Sequence, residues 1–354
     1  MKNVSKLKKI QSFRKEIIKS KHSGQLKPFL KLYADMLSWL MSNQGQLDLF
    51  FILGMHKKGK NISEVIYRKT FRKYYDIMYP EYYRCLLEDK LVFEKFINNY
   101  PEFAPVNLGF LTSQQIYWED GRQEPIENLT NYDLDCIVKE SRGFGGGRIF
   151  LLKITEGIIT INGNGSTVSD IQKLISCRSV MQELLKQHEK LEQLYPTAIN
   201  TARIVTVFDG RQVTLFNALL RVGNDGNFVD NASQGNIFIG IDQETGMLKK
   251  YAYRERGLSS TLISSHPQTA VVFENFQLPY FENVVNLCKR LHRQLHFFFI
   301  LGWDVAFTAD GPKIIECNNL YELRDNQIVA GGLKKEFFNY LKSYELYREK
   351  EPIF

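Results

Sequence analysis

Apolar residues recur every three or four positions from the start of the chain to about Leu87, and beyond that stretch the period changes. Val4, Leu7, Ile10, Phe13 and Ile17 are spaced as one stripe of a helix, with Lys and Arg between them. The same spacing predicts helices over Gln25–Ser42, Ile62–Met78 and Leu91–Asn98. From about Asp133 short strands and glycine turns take over. Leu134–Val138 reads as an apolar strand, and Arg148–Lys153 with Gly157–Ile161 as a hairpin about Thr155-Glu156. Asn162–Gly165 reads as a loop, followed by a helix near Asp170–Ser176. Ala202–Val207 and Gln212–Arg221 pair around Asp209-Gly210, and Pro279–Phe299 is a long helix opened by its proline. Gly302–Phe307 and Lys313–Cys317 form a further hairpin, and Leu333–Leu346 a last helix. The pattern predicts an α+β fold with mainly antiparallel sheets and a helical N-terminal region.

Composition narrows the setting. With 354 residues, 44% of them hydrophobic, the chain calls for two or three subdomains. No apolar run is long enough to span a bilayer; the run Leu49–Met55 stops at His56-Lys57-Lys58. The first residues carry Lys throughout and lack the apolar core of a secretory signal. Cys85, Cys136, Cys177, Cys288 and Cys317 are scattered, with no Cys-x-x-Cys pair, which points to reduced thiols in the cytoplasm and away from a zinc site.

The net charge of +7 is local: residues 1–28 hold nine Lys or Arg against one Glu, a net +8, and the remainder sums to −1. A basic head on a neutral body argues against a nucleic-acid binder. The head has two readings. One is an amphipathic helix making peripheral contact with an anionic membrane surface. The other, placed first, is a helix packed on the body with a solvated basic face.

Three constellations carry chemistry. In Val138–Arg148 a strand delivers Lys139 and then a glycine-rich loop: Gly143, Gly145, Gly146, Gly147, Arg148. Such loops turn backbone N–H groups toward an anion and cradle phosphates. No Lys-Ser/Thr follows the glycines and no helix opens on them, which sets aside the P-loop and the dinucleotide fingerprint. Gly302–Phe307, Asp310-Gly311 and Ile314–Asn319 form the second. If Ala309–Gly311 is the loop, Thr308 faces Pro312 and Asp304 faces Glu316, with Glu316 and Asn318 on one side of the strand. Opposed carboxylates repel, and a hard cation shared with phosphate oxygens turns that repulsion into attraction. Arg203, inside the apolar strand Ala202–Val207, is the third: a fork suited to phosphate or carboxylate, or to a core acid. His292 and His296 lack the Glu of a zinc protease, and no nucleophile elbow occurs.

In this order the motifs resemble the ATP-grasp superfamily, and more narrowly its branch associated with sugar transfer and surface polysaccharide clusters. Asp89-Lys90 resembles the first nucleotide-contacting Lys, and Lys139 the second. The glycine loop looks like the flap over the phosphates, and Gln182, Glu183, Leu184 and Leu185 like the hinge that meets adenine. Asn200-Thr201 with Arg203 matches the branch's Asn-Thr-x-Arg element, and Asp230-Asn231 with Gly235 its central segment. Arg221, Asn231, His266 and Thr269 are thereby candidates on the substrate side, and Asp304, Glu316 and Asn318 are candidate metal ligands. Gln234-Gly235 departs from the more usual Gly-Gly, and Cys317 sits inside the metal motif.

The resemblance implies an ATP-grasp fold: a helical region 1–86, a pre-ATP-grasp segment 87–130, a small lid subdomain 131–186, and a large subdomain 187–354 with the metal site. It implies ATP with Mg²⁺, Mn²⁺ being an alternative, and a carboxylate–amine ligase forming an acyl phosphate. Arg203, Lys139 and Asn318 are the catalytic candidates. The implied partners are a small carboxylate and amine: an amino acid, sugar acid or nucleotide sugar. Two alternatives stand beside it: a kinase of a sugar or polyol hydroxyl on the same fold, and a membrane-associated nucleotide-binding scaffold.

Overall fold

The computed structural model describes residues 2–42, 47–142, 149–225, 237–256, 259–319 and 323–350. The chain opens with α1 (Lys2–His22), α2 (Phe29–Ser42), α3 (Asp48–Ile52), α4 (Arg68–Met78), α5 (Cys85–Glu88) and α6 (Lys90–Ile97). Trp39, Phe50, Phe51, Leu53 and Val65 form the core of this helical region. Phe13 of α1 stacks on Phe51 with ring centroids 4.7 Å apart, and Ile17 packs on the same cluster. Of the apolar stripe of α1, Phe13 and Ile17 turn inward, while Ile10 is exposed.

Eight antiparallel strands form the first sheet. They are β1 (Asn107–Leu111), β2 (Gln115–Trp118), β3 (Gln123–Pro125), β4 (Leu134–Glu140), β5 (Ile149–Thr155), β6 (Ile158–Ile161), β7 (Asn164–Ser166) and β8 (Ser179–Glu183). Their spatial order is β3-β2-β1-β8-β4-β5-β6-β7. Between β7 and β8 lies α7 (Val168–Leu174), opened by a reciprocal capping box between Thr167 and Asp170. The sheet buries Val138, Phe150, Leu152, Ile154 and Met181.

The second sheet holds seven antiparallel strands in the order β13-β12-β11-β10-β9-β14-β15. They are β9 (Thr201–Phe208), β10 (Val213–Val222), β11 (Ile237–Ile241), β12 (Leu248–Arg256), β13 (Ser259–Ile263), β14 (Ile300–Thr308) and β15 (Gly311–Asn318). With α8 (Glu189–Leu194), α9 (Phe281–Gln294), α10 (Arg324–Ala330) and α11 (Lys334–Lys350) they complete the chain. Central strands β9 and β14 are near-continuous apolar runs because both faces are covered, and α9 lays Val284, Leu287, Cys288 and Leu291 into the largest core.

The chain passes from one sheet to the other in a few residues. After Glu183 ends β8, Gln187 bridges to Thr308, and the His188 N–H donates to the Phe307 carbonyl at 2.8 Å. Asn200 secures this crossing: its amide donates to the Gln187 side chain and to the Leu191 and Tyr195 carbonyls, and accepts from Gly223 N–H.

Several expectations need correction. Ile62–Met78 is not one helix: a 3₁₀ turn at Ile62–Glu64 precedes α4. The loop read at Asn162–Gly165 runs into β7 from Asn164, and the long helix expected over Pro279–Phe299 spans only Phe281–Gln294. The strands β1 to β3 and β11 to β13 were not anticipated. The last hairpin turns on Ala309-Asp310 alone, so Thr308 pairs with Gly311 and Phe307 with Pro312. A bulge at Ile315 then moves the register by one, and Asp304 still meets Glu316.

Candidate functional site

Register builds the site. Asp304 on β14 lies opposite Arg203 on β9 and opposite Glu316 on β15, so the three share one face of the sheet. Asn318, two residues beyond Glu316, joins them. Arg221 joins from β10, where Leu219 lies opposite Arg203 and Arg221 is two residues further on. Cys317 falls on the other face, opposite Trp303, where burial pushes its thiol well above its ordinary range.

Asp304 is fully engaged. The Arg203 guanidinium grips it with both arms, Nε to Oδ1 at 2.5 Å and Nη2 to Oδ2 at 3.0 Å. Arg221 Nη1 donates to Oδ2 at 3.2 Å, and so does Asn318 Nδ2 at 3.2 Å. Burial opposes ionisation of Asp304, but the charges of Arg203 and Arg221 and their hydrogen bonds outweigh it and hold the carboxyl below its usual range. Burial likewise opposes the charge on Arg203, and Asp304 reverses the balance.

Glu316 has a different partner. Lys90 Nζ lies 3.1 Å from Glu316 Oε1. Lys90 opens α6, whose N-cap Asp89 accepts from Leu91 N–H, and its own backbone N–H donates to the Ser141 carbonyl at 2.8 Å, just past β4. One residue thus ties the end of β4 in the first sheet to the acidic strand of the second. Asp89 also pairs with Arg142 at 2.9 Å, beside the glycine loop.

On the first sheet, Lys139 Nζ donates to Gln182 Oε1 at 2.9 Å, and Gln182 Nε2 donates to Glu94 Oε1 at 2.7 Å. The Gln182 amide is therefore fixed at both ends. Glu94 is buried on α6 and its Oε2 has no hydrogen-bond partner. Burial pushes its carboxyl up to about 8, with Lys139 pulling the other way. The sequence reading missed Glu94. Its only signal is an acid one turn after Lys90, directly after the apolar run Leu91-Val92-Phe93.

The other candidates fall as follows. Glu183 and Leu184 are exposed and Leu185 half-buried, in the segment joining the two sheets. His266 is buried; its Nδ1 faces the Gln268 and Thr269 N–H groups and its Nε2 lies 3.0 Å from the Gly223 carbonyl. Burial lowers the His266 pKa, and the neutral ring suits this arrangement. Thr269 Oγ1 donates to the Leu194 carbonyl at 2.9 Å. Both side chains thus direct their polar atoms to backbone. Gly143, Gly145, Gly146, Gly147, Arg148 and Asn231 lie outside the described residues.

The charges on the sheet face decide what it can attract. Arg203, Arg221 and Lys90 stand against Asp304 and Glu316, leaving a cationic excess suited to a polyphosphate. Two carboxylates and an amide oxygen are the donor chemistry a hard divalent cation takes. Among the described residues no three His, Cys, Asp or Glu side chains form a metal cluster. Glu316, with 27% of its side chain exposed, is the more accessible acid; Asp304 shows 9%.

The model of the sugar-transfer associated ATP-grasp family matches residues 69–340, well over half of the chain. The chain belongs to that family. Its two antiparallel sheets with the intervening short crossing are the ATP-grasp fold, and residues 1–68 precede the matched span. No curated protein sequence matches. Among solved structures, D-alanine–D-alanine ligase from Bacillus anthracis is 13% identical, with a TM-score of 0.40 over 75% of this chain and 69% of that one. The Helicobacter pylori D-alanine–D-alanine ligase is 12% identical, with a TM-score of 0.42 over 73% and 61%. N5-carboxyaminoimidazole ribonucleotide synthetase from Thermotoga maritima is 12% identical, with a TM-score of 0.36 over 72% of this chain and about half, 49%, of its own length.

Proposed function

We infer that this ATP-grasp protein is an ATP-dependent carboxylate–amine ligase of the cytoplasm, acting through an acyl phosphate in surface polysaccharide or related conjugate synthesis. The observation that carries the reading is the Lys90–Glu316 pair beside the Arg203–Asp304 clamp: a lysine held between the two sheets, next to acids and guanidiniums on one face.

In this reading 87–130, 131–186 and 187–354 are the pre-ATP-grasp, lid and metal-bearing subdomains, behind a helical 1–86. Adenine sits at the crossing Gln182, Glu183, Leu184, Leu185, with Lys139 steered by Gln182 toward the phosphates. Mg²⁺, or Mn²⁺ in its place, would be held by Asp304, Glu316 and Asn318 and would offset the charge of the phosphate oxygens. Lys90 leaves Glu316 for a phosphate, which frees that carboxylate as the nucleotide arrives. Arg203 and Arg221 stabilise charge as it builds on the transferring group. The glycine loop Gly143–Arg148 excludes water from the intermediate.

The chemistry balances in two steps. A substrate carboxylate oxygen attacks the γ-phosphorus of ATP and ADP leaves. An amine then attacks the carbonyl carbon, phosphate leaves, and the amine loses a proton. Arg221, Asn231, His266 and Thr269 are the substrate-side candidates of this reading, with an amino acid, sugar acid or nucleotide sugar as the class of substrate; Arg221 belongs to the cationic face at Asp304.

The test is ADP release with Mg-ATP over pools of amino acids, uronic acids and nucleotide sugars, with hydroxylamine as trap. A hydroxamate formed by the wild type and lost in Glu316→Ala supports the reading and names the acid. ADP accompanied by a phosphorylated alcohol and no hydroxamate would replace it with a sugar or polyol kinase.

A further inference from the structure

Helix α2 presents its apolar side to solvent. It buries Leu32, Asp35 and Trp39, and exposes Phe29, Leu30, Tyr33, Leu37 and Met41. At roughly 100° per residue these five fall in one arc of roughly 120°. Phe29, Leu30 and Met41 are 79%, 80% and 79% exposed, and it is their clustering on one helix face that sets them apart from scattered surface apolars. Phe29 and Tyr33 stack one turn apart, with centroids at 6.5 Å, so the stripe is a continuous surface.

The helix cannot rotate to hide the stripe. Asp35 is locked below it to the buried Lys27 at 2.5 Å and to Lys31 at 3.4 Å. Trp39 packs edge-on against Phe50 and Tyr67 at 5.5 Å and 5.4 Å. Turning α2 over would expose Trp39 and separate a buried ion pair, so the exposed face is a fixed feature of the fold.

What covers this face is decided by charge. Residues 1–28, which lead directly into α2, hold nine Lys or Arg against one Glu. On α1 the exposed positions include Arg14, Lys15, Lys19 and Lys21, with Ile10 and Ile18 exposed among them, while Glu16 is half-buried. Two copies meeting on this region would set one strongly basic head against another. An anionic lipid surface satisfies both components: apolar side chains enter the boundary between headgroups and acyl chains, and Lys and Arg meet headgroup phosphates. No helix among the described residues is long and apolar enough to cross a membrane, so contact of this kind lies in the plane of the surface. The region precedes the family match at 69–340.

We propose that α2, with the basic α1 leading into it, is an in-plane anchor that seats the protein on an anionic lipid surface. The inference is independent of the ligase reading. It also differs from the membrane contact weighed as one reading of residues 1–28, because the apolar component comes from Phe29–Met41.

The test is flotation of the full-length protein with phosphatidylcholine vesicles, with and without a minority of phosphatidylglycerol. Wild type floats with the anionic vesicles only, and added salt weakens the binding. Leu30→Ser/Leu37→Ser/Met41→Ser lowers partitioning by at least about tenfold, as does Arg14→Glu/Lys15→Glu/Lys19→Glu/Lys21→Glu. If the serine variant fails to fold, Met41→Trp replaces it: its emission shifts to the blue on anionic vesicles and is quenched by brominated acyl chains. Wild type remaining unbound to anionic vesicles, or an unshifted Trp emission at position 41, overturns the proposal. So does a wild-type dimer that the serine variant converts to monomer with no lipid binding by either, which would make the face a self-contact.

Discussion

Asp304 and Glu316 lie directly opposite each other on neighbouring strands, yet each is neutralised by a different cation: Asp304 by Arg203 and Arg221, Glu316 by Lys90. Two acids so placed would repel if left alone. Here the deeper one is held by two guanidiniums that are themselves largely covered. The shallower one is held by a flexible lysine that arrives from a different part of the chain. This asymmetry gives the two acids different responses to substitution.

Arg203→Ala leaves the buried Asp304 with Arg221 and Asn318 alone. Removing one partner of a buried pair costs about 3–5 kcal/mol, and the remaining partners place this loss at the lower end. Urea unfolding at neutral pH should show it, with Arg203→Lys intermediate because it keeps the charge and loses the two-armed grip.

Asp304 also sets an acid limb. Its folded pKa is held below the unfolded value of about 3.9, so its stabilisation is present above that value and is lost as pH falls through the lower folded one. Asp304→Asn should therefore be less stable than wild type at neutral pH, with the gap closing in strong acid. A gap that does not change with pH would mean the arginines do not favour the ionised form.

Lys90 should act on nucleotide more than on fold, because its pair with Glu316 is partly exposed. A charge-assisted hydrogen bond to phosphate contributes about 1.5–3 kcal/mol, so Lys90→Met should weaken ATP binding by about 10- to 100-fold. Calorimetric titration checks this, with the melting temperature moving little.

Glu94 predicts the opposite pH behaviour. Its folded pKa, about 8, lies above the unfolded value. The folded state therefore keeps a proton that the unfolded chain releases, and stability declines as pH rises from the unfolded pKa to about 8, then levels. Glu94→Gln keeps the acceptor for Gln182 and removes this decline, so it should be the more stable form at pH 8 and equal to wild type in acid. Glu94→Leu removes the acceptor, loosens Gln182 and should raise the KM for ATP through Lys139.

The legibility of the chain follows its physical regularity. Asp304, Glu316 and Asn318 were readable because strand parity in the hairpin places them on one face, and Arg203 because a charge inside an apolar strand stands out; that Arg203 lies opposite Asp304 came only with the sheet register. Even there the pairing was reached by a route the sequence did not show, a tighter turn compensated by the Ile315 bulge. Strands β2 and β3, Gln115–Trp118 and Gln123–Pro125, are short and polar at the sheet edge, and β12 carries Lys and Arg along its length. None offers a clean alternation to read. The orientation of α2 was hidden for another reason. Periodicity locates an apolar face and assumes that it points inward, whereas here Asp35 is buried and Leu30 exposed.

The most direct test of the ligase account is isotope transfer. The carboxylate substrate found by hydroxylamine trapping would be labelled with oxygen-18 in both carboxylate oxygens and turned over with Mg-ATP and the amine. The released inorganic phosphate would then be read by mass spectrometry. Attack of the carboxylate on the γ-phosphorus predicts one labelled oxygen in each phosphate. Phosphate carrying no label, with product formed at the same rate, would contradict an acyl phosphate and with it the function inferred for this site.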